Sequence, residues 1–270
     1  MSEPPSHRYP WESELKGRLD AGDLQGAFSC ARAQWLRLQS LKSEGPQAHA
    51  QKVADESSSE ELIAATRWTH ALAPVWWEPI RRGAISLRRS NETDHHFFQQ
   101  SHEDDEFRKR FGRRPWWRGN LANALSSYAR SFPRENGLMY WTILRAEDRV
   151  GLASLSQIDF MHSRAEFSIG IPGKPPPGVA HLASLMVLHF AFFRIRLHKL
   201  YSYVYEDNPE AAQATLRLGF KEEGRLRDHF RFEQGYVSVT VFGLTVDQLL
   251  ANSALVKTIE RRLGFKVKVG

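Results

Sequence analysis

Between residues 164 and 205 the sequence runs strand, Pro/Gly loop, apolar helix and strand, an order that leaves few ways to fold. Residues 164–171 and 200–205 are rich in β-formers, residues 172–178 (PGKPPPG) interrupt the chain, and residues 181–193 are apolar except for His181, Ser184 and His189. Two strands joined through a helix form a βαβ crossover and lie parallel in one sheet. The helix is buried against that sheet, being too short and too polar to cross a bilayer.

From residue 85 onward strands alternate with helices, the pattern of an α/β or α+β sandwich. Residues 85–88 read as a short strand, 92–111 and 121–132 as helices, and 138–145, 150–157 and 164–171 as an antiparallel meander. Residues 208–218 form a helix ending at Gly219, the residue type suited to the left-handed position that follows a helix. Residues 227–232 and 236–244 are the last two strands, joined through 233–235. Tyr201, Tyr203 and Tyr205 fall on one face of their strand. The expected fold class is α/β (an α+β sandwich), with a mixed, mostly antiparallel central sheet flanked by helices.

Upstream, Asp23 is an N-cap, and Leu24, Phe28, Ala31, Trp35 and Leu38 recur at helical spacing. The polar stretch 42–59 reads as a linker, and Ser58 with Glu61 forms a capping box for a second helix that stops near Pro74. Three regions follow: a helical N-terminal appendage (1–80), a main domain (81–250) and a C-terminal basic helix or tail (251–270). The apolar stripe of the appendage needs a partner, either as a cover beside an acceptor cleft or as a packing or homodimer element.

Hydrophobic residues make up 41% of the 270, with eight Trp, which excludes a disordered chain. The single cysteine, Cys30, excludes an internal disulfide framework and reads as an inert thiol in a reducing compartment. With no secretory pattern at residues 1–5 and no membrane span, the expected location is the cytoplasm. A net charge of +6 admits an acidic partner: a phosphate-rich ligand, an acyl carrier protein or tRNA. Residues 107–118 (FRKRFGRRPWWR) offer a polyanion surface through Arg108, Lys109, Arg110, Arg113, Arg114 and Arg118. The same run also reads as a solvated helix end whose Trp116 and Trp117 enter the core. His95, His96 and His102 lack a Cys or carboxylate partner at ligand spacing, so no metal is expected.

The chemistry concentrates after the Pro/Gly loop. Gly178 and Ala180 open a helix whose first N–H groups are unpaired, and the helix dipole adds partial positive charge, an arrangement that binds phosphate. Asn208-Pro209, then Leu218-Gly219-Phe220, then Glu222-Glu223-Gly224 follow in order. This series resembles the GNAT superfamily of N-acyltransferases, and within it the branch of ribosomal-protein alanine acetyltransferases. The resemblance runs from Ile85-Ser86-Leu87-Arg88 to the strand at 239–244.

It implies a GNAT-like sheet in which the strand 164–171 splays from its neighbour. Backbone groups of Ile169, Gly170 and Ile171 would then meet the pantetheine arm and acyl carbonyl of an acyl-CoA co-substrate. Gly178, Val179 and Ala180 would meet its phosphates, and Asn208 would hold the pantetheine. Glu166 matches the acidic residue such enzymes often carry and would be the general base, because a protonated amine must lose a proton before it attacks. The bland reading of Glu166 is a salt-bridged strand residue facing solvent. Where the family loop begins with Gln or Arg, this chain has Pro175, then Pro176 and Pro177; prolines have no N–H to donate, which leaves Lys174 to compensate. Thr215 replaces a frequent Tyr acid and Ala211 a frequent Ser. A thiolate leaves well enough without an acid. The implied activity is acyl transfer from acyl-CoA, by direct attack, to an amine or hydroxyl of a small-molecule or peptide acceptor. Two alternatives keep the fold: a transferase whose donor is aminoacyl-tRNA or a carrier-protein thioester, and a non-catalytic binding module, to which Thr215, Ala211 and the prolines point.

Overall fold

The computed structural model describes residues 9–43, 51–111, 119–173, 176–232, 235–264 and 266–267. The chain divides into two compact units, residues 1–77 and 78–270.

The first unit holds α1 (Pro10–Asp20), α2 (Leu24–Ser43) and α3 (Gln51–Ala71). Gly22 turns the chain between α1 and α2 in the left-handed region (φ +73°), and the Asp23 carboxylate accepts the Gly26 N–H at 2.8 Å, the expected cap. Ala27, Ala31 and Ala65 are fully buried, and such small side chains let helices approach closely. Trp11 Nε1 and Gln34 Nε2 both donate to Glu61 Oε1, at 3.0 and 2.6 Å, which joins all three helices. The polar stretch 42–59 is not one continuous linker, because α2 runs to Ser43 and α3 begins at Gln51 rather than near Ser58. Gln51, Lys52, Ala54 and Glu56 extend a helix at little cost once its later turns are anchored.

The second unit is built on an eight-stranded sheet. Its strands are β1 (Ile80–Arg82), β2 (Ile85–Arg89), β3 (Met139–Arg145), β4 (Asp148–Asp159), β5 (Arg164–Gly170), β6 (Lys199–Tyr205), β7 (Lys221–Phe232) and β8 (Gly235–Thr245). They lie in the order β1-β2-β3-β4-β5-β6-β8-β7, antiparallel except for the β5–β6 pair. The crossover helix α8 (Val179–His189) explains that exception. Its helices are, in chain order, α4 (His95–Glu103), α5 (Asp105–Arg110), α6 (Leu121–Ala129), α7 (Pro133–Asn136), α8, α9 (Pro209–Arg217), α10 (Val246–Ala251) and α11 (Ser253–Leu263).

Strand alternation sorts the core to two sides of the sheet. Leu152 of β4 packs with Phe98, Phe107 and Leu125 of α4, α5 and α6. On the opposite face Trp141 meets Phe190 edge-on at 5.1 Å, just past α8, whose Ala183, Leu185, Met186, Val187 and Leu188 are completely buried. Each such Leu, Val or Met contributes about 1.5–3 kcal/mol over exposure, so α8 is pinned where its first turn meets the ends of β5 and β6. Asp94 is a second anchor. Wholly buried, it accepts from Arg88 (2.6 Å), Arg149 (2.7 Å) and the Asn91 N–H (3.0 Å), linking β2 and β4 to the turn before α4.

Three boundaries differ from the sequence reading. The helix expected over 92–111 breaks at Asp104, whose carboxylate caps α5 by accepting the Glu106 and Phe107 N–H groups; a short acceptor side chain favours a cap over a helix interior. β7 begins at Lys221 instead of 227 and absorbs Glu222-Glu223-Gly224 in a bulge. After His189 the helix widens into a π turn, Phe190–Arg194. Among the described residues no helix is long and apolar enough to cross a membrane.

Candidate active site

β5 and β6 pair for only three residues. Arg164, Ala165 and Glu166 face Lys199, Leu200 and Tyr201, and beyond that point the strands part. β4 stays paired with β5 through Gly170, so the backbone groups of Phe167–Gly170 that point toward β6 have no strand partner among the described residues. The gap opens into a cavity of about 760 Å³. Its walls are the ends of β5 and β6, the first turn of α8, one side of α9, and α5 with Phe111.

The expected donor residues gather here. Ile169, Gly170, Ile171, Gly178, Ala180 and Asn208 all line the cavity. Gly178 takes a left-handed conformation (φ +82°) that a side chain would strain, and it turns the chain directly into α8. The N–H groups of Ala180 and His181 have no backbone acceptor among the described residues, so they are available to a ligand. Val179 is different: its side chain is buried and its N–H reaches the Pro176 carbonyl at 3.3 Å. Lys174 lies outside the described residues. Asn208 caps α9 by accepting the Ala211 N–H at 3.1 Å, and its Nδ2 makes only a 3.5 Å contact with the Arg110 carbonyl. A contact that long is at the outer limit of a hydrogen bond, which leaves the amide free to exchange it for a ligand oxygen.

Glu166 sits at the apex, the last paired residue before the gap. It is half-buried and forms no ion pair among the described residues, unlike the solvent-facing, salt-bridged carboxylate of the bland reading. Burial pushes its carboxyl above the usual range, against a weak opposing pull from the Ser156 hydroxyl at 3.3 Å. Gln157 bridges Glu166 to Tyr201: its Nε2 approaches Glu166 Oε2 at 3.5 Å, and its Oε1 accepts the Tyr201 hydroxyl at 3.2 Å. Gln157 holds a left-handed backbone (φ +49°) at the β4 bulge, a conformation uncommon for a residue with a side chain. Burial and the Glu166 charge push the Tyr201 phenol up to about 12, so it stays protonated as a donor at neutral pH. Tyr203, beside Tyr201, lines the cavity, whereas Glu166, Gln157 and Tyr201 are not among its lining residues.

α5 contributes a wall that sequence reasoning missed. A Cβ on Gly170 would collide with the Phe111 ring, lying 2.8 Å even from Cβ of Phe111, so a glycine is required where this aromatic covers the strand end. Arg110 pairs with Glu210 of α9 at 3.0 Å across the cavity mouth. No spacing rule brings residue 110 to residue 210. The expected polyanion surface is altered by the same packing: Arg108 pairs with Asp105 (2.7 Å), Lys109 with Glu106 (4.0 Å) and Arg110 with both Glu106 and Glu210. Arg113, Arg114 and Arg118 lie outside the described residues. Thr215, at the position of the missing tyrosine, is buried in the cavity wall. Among the described residues no group of three or more His, Cys, Asp or Glu side chains is placed to hold a metal ion.

A family model described as an acetyltransferase (GNAT) domain matches residues 85–221. The chain belongs to the GNAT acetyltransferase family. Among curated relatives, spermidine N(1)-acetyltransferase of Vibrio cholerae is 35% identical over 91 residues, 33% of this chain and 53% of that protein. The Escherichia coli (strain K12) protein of the same name is 36% identical over 84 residues, 31% of this chain and 45% of that one. The chain thus spans about half the length of the curated relatives it matches. The crystal structure of spermidine N-acetyltransferase from Vibrio cholerae in complex with CoA and spermine aligns with a TM-score of 0.55 at 24% identity, covering 62% of this chain and 98% of that one. At that identity the likeness is one of fold. The GNAT superfamily is shown; the finer branch of ribosomal-protein alanine acetyltransferases does not follow from these matches.

Proposed function

We propose that the protein transfers an acyl group from acyl-CoA to a small-molecule amine by direct attack, with Glu166 as general base. The observation that carries this reading is the parting of β5 and β6 immediately after the Glu166–Tyr201 pair, which sets a half-buried carboxylate one residue before Phe167, where the strand begins to line the cavity. The cavity's extended wall and the free N–H groups of Ala180 and His181 fit a long thioester arm that ends in phosphates.

In the reaction the amine nitrogen forms a bond to the thioester carbonyl carbon, the C–S bond breaks, and its electron pair leaves on sulfur. The proton lost by the amine passes to Glu166, whose raised affinity for protons brings it closer to that of the group it must deprotonate. Backbone N–H groups along the gap stabilise the charge that develops on the carbonyl oxygen. Gln157 fixes the carboxylate relative to Tyr201, and the tyrosines supply ring faces and a hydroxyl to an incoming cation. Names of the curated relatives support an amine acceptor and make polyamines the first acceptors to try. Ion pairing of Arg108, Lys109 and Arg110 removes much of the case for tRNA or an acidic carrier protein as donor.

The test is thiol release from acetyl-CoA by the full chain, with spermidine, simple monoamines and an N-terminal peptide as acceptors. The reading expects amine-dependent release and an N-acetylated product by mass spectrometry. Release with none of these acceptors, in protein that binds CoA, would overturn it.

A further inference from the structure

We propose that a bulge in β7 carries His229 and Phe230 onto Tyr203 to form a pocket for the organic group of the acceptor, and that the acceptor is a monoamine bearing an aromatic ring rather than a polyamine. The bulge lies beyond residue 221, where the family match ends. This inference deepens the amine-acceptor reading above and rests on it for the position of the amine.

β7 and β8 lose register between Leu226, opposite Val239, and Phe230, opposite Val237, so Arg227, Asp228 and His229 stand against Ser238 alone. Asp228 holds a left-handed backbone (φ +49°), and its N–H donates to the Ser238 hydroxyl at 3.0 Å, which fixes the bulge. A bulge bends its strand and re-aims the side chains on it. Here it sets the rings of His229 and Phe230 at 5.6 and 5.8 Å from Tyr203, which itself lies 5.6 Å from Tyr201. The cluster is continuous with the site at two points. Tyr203 lines the cavity, and Tyr201 is paired in register with Glu166, so that ring and that carboxylate share a face of the sheet. Tyr201, Tyr203 and Phe230 are only half-buried and His229 is exposed, which leaves ring surface open to a ligand. Rings at this spacing favour a further ring, edge-on or offset, beyond what its apolar area contributes.

Charge around the cluster selects against a second ammonium. Glu223 lies over Gly243, the β8 partner of Tyr201, and pairs with Lys199 at 2.7 Å. Glu206 pairs with Arg225, and Asp159 with Arg164 at 3.9 Å. These carboxylates already hold cations, whereas Glu166 forms no ion pair among the described residues. One ammonium thus has a carboxylate to meet, and a second would have to displace a lysine or an arginine, a cost that discriminates between ligands. An amine with an aromatic group two or so bonds away avoids that cost: its nitrogen meets Glu166 and its ring meets Tyr203 and Phe230.

The experiment is calorimetric titration of 2-phenylethylamine, 2-cyclohexylethylamine and spermidine into the full chain and into H229A, F230A and K257Q, followed by thiol release from acetyl-CoA with the same amines. Lys257 is an exposed residue of α11 and serves as the control. Wild type and K257Q are expected to bind the phenyl amine about two- to tenfold more tightly than its cyclohexyl analogue, the scale of one aromatic pair, and more tightly than spermidine. In H229A and F230A the phenyl-to-cyclohexyl ratio should fall toward one. His229 is exposed, so H229A should keep the wild-type melting temperature and tests the pocket even where F230A fails to fold. Equal binding of the two ring amines by wild type, tighter binding of spermidine, no binding of any amine, or a ratio unchanged in H229A would each refute the pocket. The expected preference in binding, with no thiol release from any amine, would support the pocket and refute the acyl-transfer reading instead.

Discussion

Replacing Glu166 by Gln separates its chemistry from its cost to the fold. Gln keeps the volume and an acceptor for Ser156, and removes both the charge and the basic site. Because the two hydrogen bonds to the carboxylate are long, at 3.3 and 3.5 Å, they compensate little of its desolvation, and its proton affinity stays raised. A general base of this kind contributes about 10²–10⁴ in rate, so E166Q should lose about 3–5 kcal/mol of transition-state stabilisation in kcat/KM. Stability should move the other way. A carboxyl whose folded-state pKa is raised contributes stability that is present below its unfolded pKa and lost as pH rises through the folded value. Above its raised pKa the wild-type protein holds a half-buried ionised carboxylate at a cost, so E166Q should melt at a higher temperature there, with the advantage vanishing as pH falls below the unfolded-state pKa. The assay pairs initial rates of thiol release across pH with melting curves of both proteins. In wild type the rate should fall as pH drops through the raised Glu166 pKa; in E166Q that limb should be absent. A variant within about threefold of wild type at every pH would refute the assignment of the base.

Gln157→Ala should lower kcat/KM and move the acidic limb of the wild-type pH profile upward, since the amide that donates to Glu166 is lost; an unshifted limb would deny it a positioning role. Gly170→Ala should cost about 1–3 kcal/mol in urea unfolding by overpacking against Phe111, and the loss should shrink in a Phe111→Ala background, whereas additive losses would contradict the contact. Asp94→Asn should cost about 3–5 kcal/mol at neutral pH, because it strands Arg88 and Arg149 beside a neutral partner. Desolvation alone would raise the Asp94 pKa, but Arg88, Asn91 and Arg149 together bring it below the usual range; its contribution is therefore present above the unfolded pKa and fades as pH falls through the folded one, so D94N should be the less acid-sensitive protein.

The parallel β5–β6 pair, the burial of α8 and the left-handed Gly219 were all legible in the sequence. Each depends on local pattern: an uninterrupted apolar helix between two strands, or a glycine at a helix boundary. The helix break at Asp104 and the early starts of α3 and β7 were not legible, because neighbouring packing decides between nearly equal local choices. Ile169, Gly170, Ile171, Gly178, Ala180 and Asn208 were named through the resemblance to the GNAT superfamily, and the structure places those residues around one cavity.

The other half of the site came from far away in the chain. Phe111 over Gly170 and Arg110 across to Glu210 join residues that no periodicity relates. Local pattern can specify where a strand ends or a helix begins, since those choices depend on the few residues on either side. Which side chains then face a cavity, and how far a buried carboxylate such as Glu166 is removed from water, depends on distant segments packed against it. The sequence alone therefore determined the scaffold of the candidate site, and only tertiary packing decided its walls, its charge and the proton affinity of Glu166.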